Sequence, residues 1–131
     1  MRTIKILAII GFLAVITSCA STSTFLVSQA TPAADITAKT KKQGKTNYLV
    51  TIAANNIAAS ERLNPPKKLY VIWAVSDAGA TRNVGHFTQR NAVKSTYKAS
   101  FPYKPVEIII TAEDKEDVCE PAGIEISRTK L

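Results

Sequence analysis

The sequence has few of the residues on which enzymes and metal sites depend. Its 131 residues include two cysteines, Cys19 and Cys119, and a single histidine, His86. The cysteines form no C-x-x-C redox motif. The five glycines are scattered and form no phosphate-binding loop, and no serine lies in a G-x-S-x-G elbow. We therefore expect a protein that is not an enzyme and has no metal ion and no cofactor.

Two features leave an alternative open. His86, in the stretch VGHFT, has no cysteine or acid beside it at ligand spacing. We expect an ordinary strand histidine, and the alternative is a small hydrolase or metal-dependent enzyme that uses His86 with nearby acids. The acidic stretch Glu113–Asp117 is expected to be a solvated turn, because its carboxylates lack the spacing of an EF-hand. Cys119 is expected to be a free thiol, buried or half-buried.

The sequence also lacks an apolar run long enough to span a bilayer, which takes about 20 residues. The run Ile6–Ile16 has eleven apolar or glycine residues and follows Arg2 and Lys5. A charged start, a short apolar core and small residues at the exit are the three parts of a secretory signal. The sequence therefore predicts a helical signal peptide over residues 1–18.

The exit of this run reads Ile16-Thr17-Ser18-Cys19, and it resembles the lipobox of bacterial lipoproteins. The resemblance implies that the Cys19 thiol carries diacylglycerol, that the chain is cleaved before Cys19, and that the new amino terminus is acylated. Ala20 follows instead of aspartate, which favours the outer membrane of a bacterial cell envelope. The alternatives are an ordinary signal peptide cut after Ser18 or Ala20 and an uncleaved anchor. All three place residues 20–131 outside the cytoplasm.

The chain is basic, with a formal net charge of +7. Lysines concentrate in the stretch Lys39–Lys45 and again at Lys67 and Lys68. We expect a solvated, lysine-rich turn, and the alternative is a surface that holds the protein against anionic lipid or polysaccharide. No arginine-rich or aromatic-basic motif is present, so nucleic acid is not an expected partner.

The residues that follow Cys19 are rich in serine, threonine and alanine. This composition predicts a lipidated cysteine with a flexible tether over residues 19–34. The short apolar stretch Phe25–Val27 interrupts the pattern, and we expect it either to lie at the lipid surface or to start an early strand.

Residues 35–131 show the alternation of short β-strands with turn residues between them and no long helix. They predict one all-β domain, an antiparallel β-sandwich of immunoglobulin-like type with about seven strands, although a small barrel would show the same periodicity. Gly44 is expected at a hairpin turn, and the apolar run Leu69–Val75 in a strand covered on both faces. The expected strands lie near residues 35–41, 47–55, 69–75, 84–89, 93–101, 106–114 and 124–131.

The stretch Leu69–Thr88 carries a pattern of residues that resembles the extracytoplasmic domain of anti-sigma-K type factors. The matching residues are Tyr70, Trp73, Asp77, Gly79, Asn83 and Gly85. The resemblance implies an immunoglobulin-like sandwich and, as an alternative function, an envelope-stress sensor. This chain has neither the cytoplasmic sigma-binding segment nor the membrane-spanning helix of that family, so direct control of a sigma factor is not implied.

Aromatic residues are the remaining candidates for a binding site. Trp73 lies among apolar neighbours and is expected in the core. Tyr97 and Tyr103 are flanked by lysines and are the candidate residues of an exposed aromatic platform, with sheet packing as the alternative. The sequence therefore predicts a protein anchored to the membrane through lipid on Cys19. Its domain is noncatalytic and binds an unknown envelope protein or glycan.

Overall fold

The computed structural model describes residues 20–87 and 94–131. Eight strands and one short 3₁₀ helix make up this part of the chain. In order they are β1 (Ala20–Thr24), β2 (Asp35–Gln43), β3 (Asn47–Asn55), the 3₁₀ turn (Ser60–Arg62), β4 (Leu69–Val75), β5 (Thr81–Phe87), β6 (Lys94–Phe101), β7 (Glu107–Glu113) and β8 (Ile124–Lys130).

The strands form two four-stranded sheets, with the orders β1-β2-β3-β6 and β5-β4-β7-β8, and every pairing is antiparallel. The all-β antiparallel sandwich predicted from the sequence is confirmed. In the first sheet three consecutive strands, β1 to β3, are neighbours. Strand β1 precedes the seven predicted strands. Counted from β2, the second and third strands (β3 and β4) lie in different sheets, and β4, β7 and β8 are neighbours, as the third, sixth and seventh strands of constant-type immunoglobulin domains are.

The hairpin β2–β3 follows directly from the sequence pattern. Gly44 adopts a φ of 67° at the turn, which glycine does without steric cost. Gln43 pairs with Asn47 beside it. In β3, Val50, Ile52 and Ala54 are buried and alternate with more exposed residues, as the period of two predicts. This alternation places one face of the hairpin against the core between the two sheets.

Strand β4 is covered on both faces, as its unbroken apolar run predicts. Tyr70, Ile72 and Ala74 belong to the large cluster between the sheets. Leu69, Val71 and Trp73 belong to a second cluster with Ile109 and Val118. Because successive side chains of a strand point to opposite faces, this second cluster lies on the outer face of the β4–β7 pair.

The large cluster joins both sheets and is built almost entirely from aliphatic and aromatic side chains. Its buried members are Phe25, Ile36, Ala38, Val50, Ile52, Ala54, Ile57, Leu63, Tyr70, Ile72, Ala74, Phe101, Ile108, Ile110, Ala112 and Ile126. Burial raises the pKa of Tyr70 to about 12, and its hydroxyl donates a hydrogen bond to the carbonyl oxygen of Ala58. This hydrogen bond holds the segment between β3 and β4 against the core.

The structure differs from the tether predicted over residues 19–34. Strand β1 begins at Ala20 and pairs along its whole length with β2, and the ladder continues where the Phe25 amide donates to the Ile36 carbonyl oxygen at 2.9 Å. Phe25 is buried. Threonine favours strands, and a buried phenylalanine at the end of the segment supplies the apolar contact that a serine- and threonine-rich linker lacks. The early strand is therefore part of the first sheet.

Two strand positions also differ from the prediction. Strand β7 begins at Glu107, one residue after the expected start, and Val106 before it is 40% exposed. Strand β5 begins at Thr81, three residues before the expected start at Val84. Ile108, Ile110 and Ala112 are buried as expected.

Several predictions lie outside the described residues. These are the helical signal peptide over residues 1–18, the lipidation of Cys19, and the end at Gln89 of the expected strand that corresponds to β5. Within the described ranges, no helix has the length and hydropathy to cross a bilayer.

Candidate functional site

The structure packs the two tyrosines of the predicted aromatic platform, Tyr97 and Tyr103, against the large cluster. Tyr97 lies on the inner face of β6 against the large cluster, and its hydroxyl donates a hydrogen bond to the carbonyl oxygen of Val84 in β5. Burial raises the pKa of Tyr97. Two ring carbons of Tyr97 lie 2.6 Å from the position of a Cβ on Gly85, whose φ is 151°. The glycine makes room for the ring, and Tyr97 joins the facing edges of the two sheets.

Tyr103 is also a packing residue. It is partly buried against the large cluster, and its ring centroid lies 5.8 Å from that of Phe101, with the planes inclined by 53°. Both tyrosines are partly buried against the large cluster. The sheet-packing alternative therefore describes both residues.

The packing role of Tyr97 gives a first prediction. Tyr97→Ala is expected to lower the free energy of unfolding by about 2 kcal/mol, because it removes a partly buried ring between the sheets. Tyr97→Phe, which keeps the ring and loses only the hydrogen bond to Val84, is expected to cost about 1 kcal/mol. Urea denaturation followed by circular dichroism measures both. If Tyr97→Ala were as stable as the wild type, the packing role of Tyr97 would be contradicted, and Tyr97 would again be a candidate binding residue.

His86 has an acidic neighbour that is distant in sequence. Its Nε2 lies 3.1 Å from Oε2 of Glu116, and both side chains are exposed, by 40% and 66%. Within the described ranges, no group of three or more histidine, cysteine, aspartate or glutamate residues is placed to hold a metal ion. The contact is an exposed pair that joins β5 to the segment after β7.

That segment, residues 114–123, is called the β7–β8 loop here, and it lies over the outer face of the second sheet. Asn83 of β5 holds it: its Nδ2 donates to the carbonyl oxygens of Glu116 at 2.9 Å and of Val118 at 3.0 Å. Its Oδ1 accepts a hydrogen bond from the Gly85 amide at 3.1 Å. Val118 packs on the second cluster. The loop thereby covers the apolar outer face of β4.

A chain of hydrogen bonds runs beneath the β7–β8 loop. The Trp73 indole Nε1 donates to Thr111 Oγ1 at 2.8 Å, and that hydroxyl donates to Glu113 Oε1 at 2.8 Å. The same carboxylate oxygen accepts from the Ala122 amide at 3.1 Å. Thr111 and Glu113 are buried. Trp73 is therefore a core residue, as predicted, but it lies under this loop rather than between the sheets.

The other side chains of the β7–β8 loop are solvated. Asp114 pairs with Lys67 at 3.3 Å. Cys119 is an exposed free thiol, which corrects the expectation that it is buried or half-buried. The loop carries the thiol outward because Val118 is the residue that packs inward.

A depression in the described part of the chain lies along β8. It has a volume of about 510 Å³ and is lined by residues 26–30 and 124–128. Leu26 and Val27 are 71% and 80% exposed, whereas the preceding Phe25 is buried. We call this depression the β8 groove. Leu26 and Val27 are the large apolar side chains of its wall, and Leu26 also borders a second depression of about 260 Å³.

Backbone and side-chain hydrogen bonds hold the wall of the β8 groove in place. The Ser127 hydroxyl donates to the Leu26 carbonyl oxygen at 2.6 Å, and the Thr129 hydroxyl donates to the Thr24 carbonyl oxygen at 3.2 Å. The Thr31 amide donates to the Ser28 hydroxyl at 3.1 Å, which closes the turn beyond the wall. The exposure of Leu26 and Val27 is thus a property of an ordered segment.

The one cation of the groove lining is neutralised. Arg128 bonds to Glu125, and its second nitrogen lies 3.1 Å from Glu107. The hydrogen bond to Glu125 is the main cause that raises the pKa of Arg128. The groove therefore has an apolar wall and a paired, nearly neutral floor. The apolar stretch Phe25–Val27 was the only sequence feature that indicated the β8 groove, because the strand that faces it, β8, is distant in sequence.

Fold and site define a class: an antiparallel two-sheet β-sandwich with an apolar groove at one edge strand. The chain matches no protein-family model, no curated protein and no solved structure. The resemblance to anti-sigma-K type factors and the lipobox both stay predictions from the sequence.

Proposed function

We propose that this protein is a noncatalytic lipoprotein of the bacterial cell envelope, anchored through diacylglycerol on Cys19. The proposal rests on the sequence Ile16-Thr17-Ser18-Cys19 after a short apolar run. Several acyl chains give a stable anchor where a single chain does not. Because Ala20 and not aspartate follows Cys19, the proposed location is the outer membrane. In this proposal the β-sandwich binds another component of the envelope.

The β8 groove is the proposed binding site, and the exposure of Leu26 and Val27 on an ordered wall is the observation that carries it. Exposed apolar side chains grouped at a concave surface mark interaction sites. The proposed occupant is an apolar segment of an envelope protein, because the exposed side chains of the groove wall are aliphatic. Residues 24–26 already cover the edge of β8, so the occupant contacts the wall and does not pair with that strand. A glycan is less well matched, because Tyr97 and Tyr103 pack against the core and offer no stacking platform.

A photo-crosslinking amino acid at position 27, introduced into the full-length protein in intact cells, tests the proposed site. The matched control carries the same amino acid at Ser100, which is exposed on the outer face of the first sheet. We expect a reproducible crosslinked protein from position 27, absent from position 100, and lost when Leu26→Ser is added. The crosslinked protein, identified by mass spectrometry and purified, should then bind the wild type and not the Leu26→Ser variant.

Two results would contradict this binding site. One is the absence of any crosslinked protein from position 27 while the variant remains in the membrane fraction. The other is a crosslinked protein whose yield does not change with Leu26→Ser. A product that is a glycan conjugate in place of a protein would overturn the proposed occupant.

A further inference from the structure

Strand β1 fixes which end of the sandwich meets residue 19. Ala20, the first residue of β1, is directly opposite Lys41 of β2. Neighbouring strands are about 4.8 Å apart, and consecutive Cα atoms about 3.8 Å. Residue 19 therefore follows directly from the end of the sandwich that carries the β2–β3 hairpin, with no linker between them.

The same end carries a concentration of exposed lysines. The hairpin contributes Lys41, Lys42 and Lys45, all of them exposed. Lys104 follows the end of β6, and Lys130 is at the end of β8, opposite Glu107. The hairpin lysines lie at the level where β1 starts, and Lys104 follows the end of β6 in the same sheet. Lys130 belongs to the second sheet and lies near Thr24, at the other end of β1. We call Lys41, Lys42, Lys45 and Lys104 the lysine end.

Few acidic groups offset this charge. Arg82 adds a further exposed cation at this end, since it pairs with Ala74 near the end of β4. Glu107 is bound to Arg128. Asp77, in the turn between β4 and β5, is the acidic side chain that remains here among the described residues.

The opposite end carries charges of both signs. The β7–β8 loop starts there, after Glu113, which pairs with Leu69 at the beginning of β4. Four exposed acidic residues lie in this loop: Asp114, Glu116, Asp117 and Glu120. These acids share that end with the cations Arg62, Lys67, Lys68, Lys94 and Lys115. The loop then returns over the outer face of the second sheet to Asn83. The excess of positive charge therefore lies at the lysine end.

We infer that the lysine end docks on the anionic phospholipid headgroups of the bilayer that holds residue 19. The inference rests on the proposed lipid anchor. Lysines next to a membrane attract anionic lipids, and the attraction falls off within a Debye length of about 10 Å at 0.1 M salt. Because β1 begins at Ala20, the anchored domain has no linker that would carry these lysines beyond that range. Docking holds the sandwich upright, with the opposite end away from the negative surface.

Lysine acetylation of the full-length, membrane-purified protein in vesicles tests the inference. One sample uses phosphatidylcholine alone, and the other includes phosphatidylglycerol. Acetylation of Lys42 and Lys45, measured by mass spectrometry, should fall about threefold in the anionic vesicles and recover at high salt. Lys68 and Lys115, which lie toward the opposite end, are the internal controls and should react equally in both.

A charge-reversal variant supplies the matched control. In Lys42→Glu/Lys45→Glu, acetylation of Lys41 and Lys104 should no longer differ between the two kinds of vesicle, whereas Lys68→Glu/Lys115→Glu should behave as the wild type. Circular dichroism confirms the fold of both variants.

The outcomes separate this inference from the proposed anchor. Protein that floats with both kinds of vesicle but shows equal acetylation of Lys42 and Lys45 overturns the docking and leaves the anchor standing. Protein that floats with neither kind of vesicle, with residue 19 unmodified, overturns the anchor and this inference with it.

Discussion

Trp73→Ala is expected to lower the free energy of unfolding by about 4 kcal/mol, the cost of emptying a fully enclosed aromatic site. The indole is 0% exposed, packs with Leu69, Val71 and Ile109, and donates to Thr111. Its removal leaves a cavity and also deprives the β7–β8 loop of the surface on which it rests. Urea denaturation followed by far-ultraviolet circular dichroism measures the change.

Trp73→Phe is the matched control for this prediction. It keeps an aromatic ring in the second cluster and removes the hydrogen bond to Thr111, so we expect a loss of about 1–2 kcal/mol. Trp73 is the single tryptophan of the chain, and the wild-type fluorescence is expected to show a buried indole. A Trp73→Ala variant as stable as the wild type would contradict the position of the loop over β4. Wild-type fluorescence with the emission maximum of a solvent-exposed indole would contradict it as well.

Gly123→Ala is expected to destabilise the protein by about 3 kcal/mol, a cost typical of strong overpacking. A Cβ at this position would meet the carbonyl oxygen of Ala112 at less than contact distance and would lie 2.8 Å from Oε2 of Glu113. The carbonyl belongs to the ladder of β7 and cannot move away without loss of pairing. The loop therefore re-enters the sheet at a residue without a side chain.

Gly79→Ala separates this effect from the conformational freedom of glycine. Gly79 has a φ of 83° and open space around it, so alanine there costs only the strain of the left-handed conformation, about 1 kcal/mol. Thermal or urea denaturation of the two variants side by side gives the comparison. If Gly123→Ala were no more destabilised than Gly79→Ala, the close packing of the loop against Ala112 would be refuted.

The parts of the fold that the sequence predicted are those governed by local periodicity. Alternation in β3 and the unbroken apolar run in β4 correspond directly to one buried face and two buried faces. The turn at Gly44 is similarly local. Residues 20–34 were misread because serine and threonine are common both in linkers and in polar edge strands, and their composition alone does not separate the two.

The candidate site was less predictable because its contacts are between distant parts of the chain. The hydrogen bond from Ser127 to Leu26 spans 101 residues, and that from Trp73 to Thr111 spans 38. No local pattern shows that Tyr97 faces inward over Gly85, since flanking lysines occur beside both exposed and inward-facing strand positions. The sequence located the apolar interruption Phe25–Val27, but only the pairing of β1 showed which two of its side chains stay exposed.

Mass spectrometry of the amino-terminal peptide from membrane-purified protein tests the central claim most directly. The proposed function predicts a chain that starts at Cys19, with diacylglycerol on the thiol and an acylated amino group. A Cys19→Ala variant, which has no thiol to modify, should lack this species. A wild-type chain that starts at Met1, or one in which residue 19 has a free thiol, would contradict the account.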